Sequence, residues 1–260
     1  MTQYAGGKAR LGTRIADEIV KYDLSINGVH EAPYFEPFVG MASVMTKMCE
    51  KFKSNSAHGR QFFACDHDRS IVSFWRQIQE GWSPPVTMTK EFYLQIKRKK
   101  EYDALYAFAA YGCSFKGIKW GGFYKDAYEI GYKRLTKNNF AAMTKDVMFM
   151  DPCTYKDHTP VGMVVYCDPP YTSSKFWGIR DNLLNFDTEE FWETMRVWSE
   201  DNTVIISERT SPDDFVPIWS YTRMNGITQN SRVEEKLFVH SSKKIGSGIA
   251  ETQQNLNILN

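Results

Sequence analysis

The stretch of sequence that decides the fold is Val164-Val165-Tyr166-Cys167-Asp168-Pro169-Pro170-Tyr171. Its first half is apolar and β-branched, which is typical of a buried strand, and the acid, the prolines and the aromatic mark the carboxyl end of that strand. Ligands of open α/β sheets bind outside the carboxyl ends of the strands. We therefore predict that Asp168 and Tyr171 contribute to the floor of a pocket.

The composition is that of a folded globular protein. The chain has 260 residues, of which 42% are hydrophobic and 24% are charged, and this length suits a single α/β domain with an insertion as well as two modest domains. No run of about 18 apolar residues and no secretion signal is present, so we expect a soluble, intracellular protein that does not bind membranes.

The five cysteines are odd in number, widely spaced and mostly in apolar surroundings, so they are predicted to be reduced core residues. They form no CxxC pair, and the five histidines follow no ligand spacing. The sequence therefore predicts no metal site. The cysteines are Cys49, Cys65, Cys113, Cys153 and Cys167, and the histidines are His30, His58, His67, His158 and His240.

The net charge of +1 conceals a basic middle. Residues 77–140 contain 11 Lys and Arg against 6 Asp and Glu, whereas the rest of the chain contains 21 against 25. A basic block in a slightly acidic chain favours contact with a polyanion, although a solvated helical face has the same composition.

The amino-terminal part has two patterns that suit ligand binding. Tyr4-Ala5-Gly6-Gly7-Lys8 precedes a helical pattern, and its amides and ammonium could meet a carboxylate or a phosphate. Residues 34–48 predict a short strand, a turn of small residues and a helix. A second strand at residues 62–65 ends in Asp66, which is the arrangement that holds a ribose diol. Alternatively, Asp66 is the N-cap of a helix over residues 69–78.

The βα pattern is interrupted after Gln77. Residues 91–110 are predicted to be helical and charged, and residues 111–124 combine glycine, lysine and aromatic residues. Such a loop can contact phosphates and stack on bases, and it can equally be a hairpin whose aromatic side chains fill a local core. The pattern then resumes with strands at residues 147–150, 164–167, 203–207 and 236–240, a helix at 191–198, and loops at 172–186 and 241–255.

These motifs, in this order, resemble those of the adenine-specific DNA methyltransferases of the Dam type (class alpha), in viral or phage versions. The resemblance covers nearly the whole chain and rests on the Tyr4–Lys8 motif, Glu36-Pro37-Phe38-Val39-Gly40, Asp66, Thr154-Tyr155 and Asp168-Pro169-Pro170-Tyr171. It implies an α/β fold, with a Rossmann-like methyltransferase sheet in residues 1–76 and 141–260. Residues 77–140 would be an inserted, mainly helical target-recognition domain.

The resemblance also implies S-adenosyl-L-methionine as the cofactor. The positions that match cofactor-binding positions of the family are Tyr4, Lys8, Pro37, Phe38, Gly40, Asp66, Thr154, Tyr155 and Asp168. Among them, Asp66 would bind the ribose hydroxyls, and Thr154 and Tyr155 would lie near the adenine of the cofactor.

The activity implied is methylation of N6 of a flipped-out adenine in double-stranded DNA. Asp168 and the carbonyl of Pro169 would accept hydrogen bonds from the amino group, and Tyr171 would stack on the base. The basic insertion would contact DNA, with Lys116, Lys119, Tyr124 and Arg134 as the candidate residues. A cognate restriction endonuclease is a further expected partner, whereas no oligomeric state is implied.

The chain departs from the family pattern at several positions. Ala42 replaces a second glycine, residues 111–120 lack the asparagine-rich pattern of the enterobacterial group, and Ser207-Glu208-Arg209 replaces Ser-Asn-His. The change at Ala42 exchanges one small residue for another and is expected to be tolerated. The pattern of residues 111–120 puts a GATC target in doubt, and Ser207-Glu208-Arg209 implies different surroundings for the flipped base. Three alternatives stay open: N4-cytosine methylation, a catalytically silent protein that binds cofactor or DNA, and methylation of RNA or protein.

Overall fold

The computed structural model describes residues 4, 7–28, 31–52, 59–170, 186–224 and 232–243. In chain order, the helices and strands are α1 (Gly12–Asn27), β1 (Tyr34–Glu36), α2 (Met45–Phe52), β2 (Phe62–Ala64), α3 (Arg69–Gln79), α4 (Lys90–Lys99), α5 (Ala104–Ala107), α6 (Lys125–Lys137), α7 (Phe140–Thr144), β3 (Val147–Phe149), β4 (Val164–Cys167), α8 (Thr188–Asp201), β5 (Thr203–Glu208), β6 (Phe215–Met224) and β7 (Arg232–His240). Single turns of 3-10 helix lie at Phe115–Gly117, Tyr155–Asp157 and Ser241–Lys243.

The seven described strands form one sheet in the order β3-β2-β1-β4-β5-β7-β6. The first five run parallel to one another, and β7 is antiparallel to both β5 and β6. The predicted α/β class is therefore confirmed. The order 3-2-1-4-5 is that of the doubly wound nucleotide-binding folds, in which the order reverses between β1 and β4.

Both faces of the sheet are covered, because successive side chains of a strand point to opposite faces. Val164 and Tyr166 of β4 belong to a core cluster with α1, α2 and α3, whereas Val165 and Cys167 pack in a second cluster with α8. Every residue of β4 is buried as a result. Because both faces of the strand are buried, its sequence is a continuous apolar run and does not alternate between apolar and polar residues.

Four of the five cysteines are buried as predicted, Cys153 is partly exposed, and all five are free thiols. Across the described parts of the chain, no helix combines the length and the apolar character needed to cross a bilayer.

The sequence did not predict strand β6. Its residue Pro217 has no backbone N–H to donate to a sheet, which argues against an interior strand. The structure accommodates this residue because β6 lies at the edge of the sheet, and the register with β7 shifts between Pro217 and Trp219.

Residues 77–140 are mainly helical, as predicted, but the helix expected over residues 91–110 is interrupted. Helix α4 ends at Lys99, and Lys100 and Tyr102 have φ angles of 56° and 52°. Asp103 then caps α5 by accepting a hydrogen bond from the N–H of Tyr106. Buried residues of this segment share the cluster of α1 to α3. A separate target-recognition domain with these boundaries stays a prediction.

Residues 111–124 form a hairpin. This agrees with the alternative prediction of a hairpin whose aromatic side chains fill a local core. The N–H of Phe115 donates to the carbonyl of Gly122 at 2.9 Å, and the N–H of Tyr124 donates to the carbonyl of Cys113 at 2.9 Å. Tyr111 packs inside the molecule, whereas Phe115 and Tyr124 are exposed. The hairpin therefore fills a local core and also presents aromatic rings on the surface.

Candidate active site

The candidate site lies where the order of the strands reverses. Asp168 directly follows β4, the turn at residues 37–40 follows β1, and Asp66 lies just beyond β2. Since β2, β1 and β4 are parallel neighbours, these three segments meet at one edge of the sheet. Ligands of doubly wound folds bind in the crevice at this point.

The ammonium of Lys8 lies between two carboxylates that are remote in sequence. Its Nζ is 2.7 Å from Oδ1 of Asp168 and 3.2 Å from Oε1 of Glu235, and only 5% of its side chain is exposed. Burial alone would lower the pKa of Lys8, but Asp168 and Glu235 outweigh this effect and raise it. The anion that the Gly-Gly-Lys motif meets is thus a carboxylate of the protein itself.

Further carboxylates surround this ion pair. Burial raises the pKa of Glu36 to about 8, although a hydrogen bond from the hydroxyl of Tyr34 opposes the shift. Burial also raises the pKa of Glu208 to about 7, against the opposing effects of the Arg209 N–H and the Lys8 ammonium. Two acids near the site therefore titrate close to neutral pH.

The glycine turn after β1 is hydrogen-bonded to Asp66, the acid that follows β2. The N–H of Gly40 donates to Oδ2 of Asp66 at 3.0 Å, and the N–H of Asp68 donates to Oδ1 at 2.9 Å. Gly40 has a φ of +46°, and a Cβ there would lie 3.0 Å from Cε1 of Tyr4. A larger residue would therefore be strained as well as crowded.

The alternative prediction for Asp66 was wrong. Asp68, not Asp66, is the N-cap of α3, where it accepts hydrogen bonds from the N–H and the hydroxyl of Ser70. The carboxylate of Asp66 is oriented by backbone amides instead. Nδ1 of His67 also lies 3.3 Å from Oδ1 of Asp66.

Aromatic side chains form one wall beside this turn. The rings of Phe38 and Tyr155 are 5.5 Å apart, and both pack near Phe191 of α8. The hydroxyl of Tyr155 is buried and has no hydrogen-bond partner among the described residues.

The polar groups next to this wall contact nearby residues of the protein. The hydroxyl and the N–H of Thr154 both donate to Oδ2 of Asp157, three residues later. The carbonyl oxygen of Pro37 faces inward, 3.7 Å from Sγ of Cys65.

The space in front of Pro169 is small. A cavity of about 40 Å³ is lined by Pro169, Pro170, Trp192, Glu208 and others, whereas typical ligand pockets measure about 300–1,000 Å³. Tyr171, predicted to stack on the base, lies outside the described residues.

The predicted DNA-binding residues fall into two groups. Lys116, Tyr124 and Arg134 are exposed, on the hairpin and on α6. Lys119 is largely covered, and its Nζ lies 2.6 Å from Oδ2 of Asp68. Burial alone would raise the pKa of Asp68, but Lys119 and its other partners lower it. Lys119 thus joins the hairpin to α3 and is not part of an open basic surface.

Sequence reasoning missed Glu235 as a site residue. It belongs to β7, and the hydroxyl of Ser207 in β5 donates to its Oε1 at 2.6 Å. The signal in the sequence was the Glu234-Glu235 pair beside a strand pattern, because successive side chains of a strand point to opposite faces of the sheet and the two acids cannot share one face. Only the antiparallel placement of β7 beside β5 brings Glu235 to Lys8.

No protein-family model matches the chain, and no curated protein matches its sequence. Among solved structures, the chain is similar to a crystal structure of a proposed methylase from Haemophilus influenzae, with a TM-score of 0.36 and 12% sequence identity. The similarity covers 88% of this chain and 98% of the other. A similarity this distant supports no conclusion about activity.

Proposed function

We propose that this protein transfers a methyl group from S-adenosyl-L-methionine to N6 of adenine in double-stranded DNA. One observation carries the proposal. Asp168-Pro169-Pro170 follows the central strand β4, next to the reversal of strand order and beside the bonded Gly40–Asp66 pair. These motifs of the family resemblance, which are far apart in sequence, lie at the edge of the sheet where doubly wound folds bind nucleotide-like ligands, and this supports the proposal.

The residues present fit the cofactor. Asp66 offers a carboxylate to ribose hydroxyls, and Phe38 and Tyr155 offer apolar ring surface for an adenine. When bound, the cofactor supplies an electrophilic methyl group on a positively charged sulfonium. The carboxylates around Lys8 suit that charge, because opposite charges attract strongly in a poorly solvated crevice.

Asp168 and Pro169 would act on the amino group of the target base. The lone pair of this nitrogen is delocalised into the ring, so the amine is a poor nucleophile. Hydrogen bonds accepted by the carboxylate of Asp168 and the carbonyl of Pro169 would draw the nitrogen towards a tetrahedral shape and free its lone pair. Lys8 holds Oδ1 of Asp168 and thereby fixes the orientation of the carboxylate.

The base would have to leave the duplex to reach Asp168. Tyr171 is the proposed stacking partner, on the strength of the family resemblance alone.

The product of the reaction tests the proposal. We expect that incubation with labelled S-adenosyl-L-methionine and unmodified duplex DNA, followed by digestion to nucleosides, yields labelled N6-methyladenine. Parallel reactions with RNA and with protein should stay unlabelled. Labelled N4-methylcytosine would show that the target is N4 of cytosine and not N6 of adenine. Cofactor binding without transfer to any of these substrates would support the alternative of a catalytically silent binding protein.

DNA binding is expected to depend on the exposed basic residues of the hairpin and α6. The double variant Lys116→Ala/Arg134→Ala should bind duplex DNA more weakly, because fewer phosphates are neutralised and fewer counterions are released on binding. The slope of log K against log salt concentration should fall by about 0.9 for each phosphate that the variant no longer neutralises. Fluorescence anisotropy at several salt concentrations measures both effects.

Lys21→Ala is the matched control, since Lys21 is an exposed lysine on α1 outside residues 77–140. Its affinity and salt slope should equal those of the parent protein. If the double variant also matched the parent protein, the proposed DNA surface would be wrong.

A further inference from the structure

Three side chains that commonly bind metals meet beneath the aromatic wall of the candidate site. Cys65 directly follows β2, and Cys153 and His158 flank the 3-10 turn Tyr155–Asp157. Sγ of Cys153 is 2.9 Å from Nε2 of His158, and Sγ of Cys65 is 3.3 Å from the same nitrogen. All three ligand atoms lie within 4.8 Å of one another.

These distances are close to those of a zinc site. With Zn–S bonds of about 2.3 Å and a Zn–N bond of about 2.0 Å, tetrahedral geometry places sulfur and nitrogen ligands about 3.5 Å apart. Small side-chain rotations would therefore bring all three atoms to bonding distance from one ion. Two thiolates and an imidazole are also a ligand set that Zn²⁺ prefers.

The backbone holds the three ligands in place. The N–H of Cys65 donates to the carbonyl of Glu36 at 3.0 Å, and the N–H of Cys153 donates to the carbonyl of Asp66 at 3.3 Å. The N–H of His158 donates to the carbonyl of Tyr155 at 3.2 Å, and its ring packs against Phe35 at 5.0 Å between centroids. The cluster is thus part of the ordered structure and does not depend on a chance contact of surface side chains.

The site also has an open side. Cys65 is buried, whereas Cys153 and His158 are each partly exposed. An ion can therefore enter from solvent, and a water molecule can complete four-coordination.

We propose that Cys65, Cys153 and His158 bind one Zn²⁺ ion that ties the end of β2 to the 3-10 turn. Both thiols would release their protons to solvent on binding. The ion would fix Asp66 relative to Thr154 and Tyr155, the neighbours of the ligands in sequence. The proposal does not rest on the proposed function, because zinc binding is measured without methyl transfer.

The sequence had predicted no metal site because its ligand spacings are not those of a zinc finger. The cluster joins Cys65 to two ligands more than 80 residues later, across the parallel strands β2 and β3. The local signal was Cys153-x4-His158, which alone supplies only two ligands.

Zinc binding by the full-length protein under reducing conditions tests the proposal. After dialysis against metal-free buffer, we expect the protein to take up one Zn²⁺ per chain in competition with a chromophoric chelator. Cys153→Ser and His158→Ala should each weaken binding by more than the roughly 10- to 100-fold effect of removing an outer-sphere partner. Co²⁺ should give a thiolate charge-transfer band that disappears in Cys153→Ser.

Cys49→Ser is the matched control, because Cys49 is a buried cysteine in the other core cluster. It should bind Zn²⁺ like the parent protein. Thermal unfolding with and without zinc gives a second measurement, and only proteins with all three ligands should gain stability from the ion.

The proposal would be overturned if the reduced parent protein bound no zinc, or if both ligand variants bound zinc with parent affinity. A disulfide between Cys65 and Cys153 that forms in place of zinc binding, detected by thiol counting and mass spectrometry, would overturn it as well.

Discussion

Replacing Asp168 by alanine is expected to lower the rate of methyl transfer by at least about 100- to 1,000-fold, the usual effect of losing one preorganised hydrogen-bonding group. The alanine cannot accept a hydrogen bond from the amino group of the base. Single-turnover transfer of a labelled methyl group to DNA measures the effect. The fold should survive, since Lys8 keeps Glu235 at 3.2 Å as a partner.

Asp214→Ala is the control variant, because it removes an ion-paired carboxylate that lies outside the candidate site. Asp214 forms an ion pair with Arg196 at 2.5 Å, away from the carboxyl ends of β1, β2 and β4. This variant should keep the parent rate. A folded Asp168→Ala protein with the parent rate would exclude the role assigned to Asp168, even if the protein methylates adenine.

The substitution Lys8→Met is expected to cost about 3–5 kcal/mol of unfolding free energy at pH 8, because it leaves buried carboxylates without their cation. The affected groups are Asp168 and Glu235, which contact Lys8, and Glu208, whose pKa it lowers. Urea unfolding of both proteins at several pH values measures the loss.

The loss should depend on pH in a defined direction. Burial raises the pKa of Glu208 to about 7, above the unfolded value of about 4, and the ammonium of Lys8 opposes this shift. Without the ammonium the folded-state pKa of Glu208 rises further, so its contribution to stability is fully present below the unfolded value and is lost as the pH rises through the folded pKa. The deficit of Lys8→Met should therefore be small near pH 4 and grow towards pH 8.

Lys47→Met is the comparison for Lys8→Met. Lys47 pairs with Glu50 at 2.7 Å on the surface of α2, where such a pair contributes about 0–1 kcal/mol. The Lys47→Met variant should lose about 0–1 kcal/mol of unfolding free energy relative to the parent protein. A deficit of Lys8→Met that is equally small, or that does not change with pH, would contradict the role of Lys8 as the cation of the cluster.

The strands of the parallel sheet were predictable because their signals are local. The run Val164–Cys167 is apolar and ends in an acid and two prolines, and the same reasoning located β1, β2, β3 and β5. Strand β6 was not predicted. It contains Pro217, which argues against an interior strand, and the structure places β6 at the edge of the sheet.

The motifs at the strand ends were also predictable as a group. Parallel strands place all their carboxyl ends on one edge, so the turn at residues 37–40, Asp66 and Asp168 were expected at the same edge of the sheet. Their proximity follows from the observed strand order, in which β2, β1 and β4 are neighbours. The hydrogen bond from Gly40 to Asp66 agrees with that expectation.

The sequence by itself thus determined the parallel strands and the three segments that follow the carboxyl ends of β1, β2 and β4. Only the tertiary structure decided the partners of individual side chains: Lys8 with Asp168 and Glu235, Lys119 with Asp68, and Cys65 with Cys153 and His158. The reason is physical. Periodicity and turn residues act over a few positions, whereas these contacts depend on strand order and register across residues far apart in the chain.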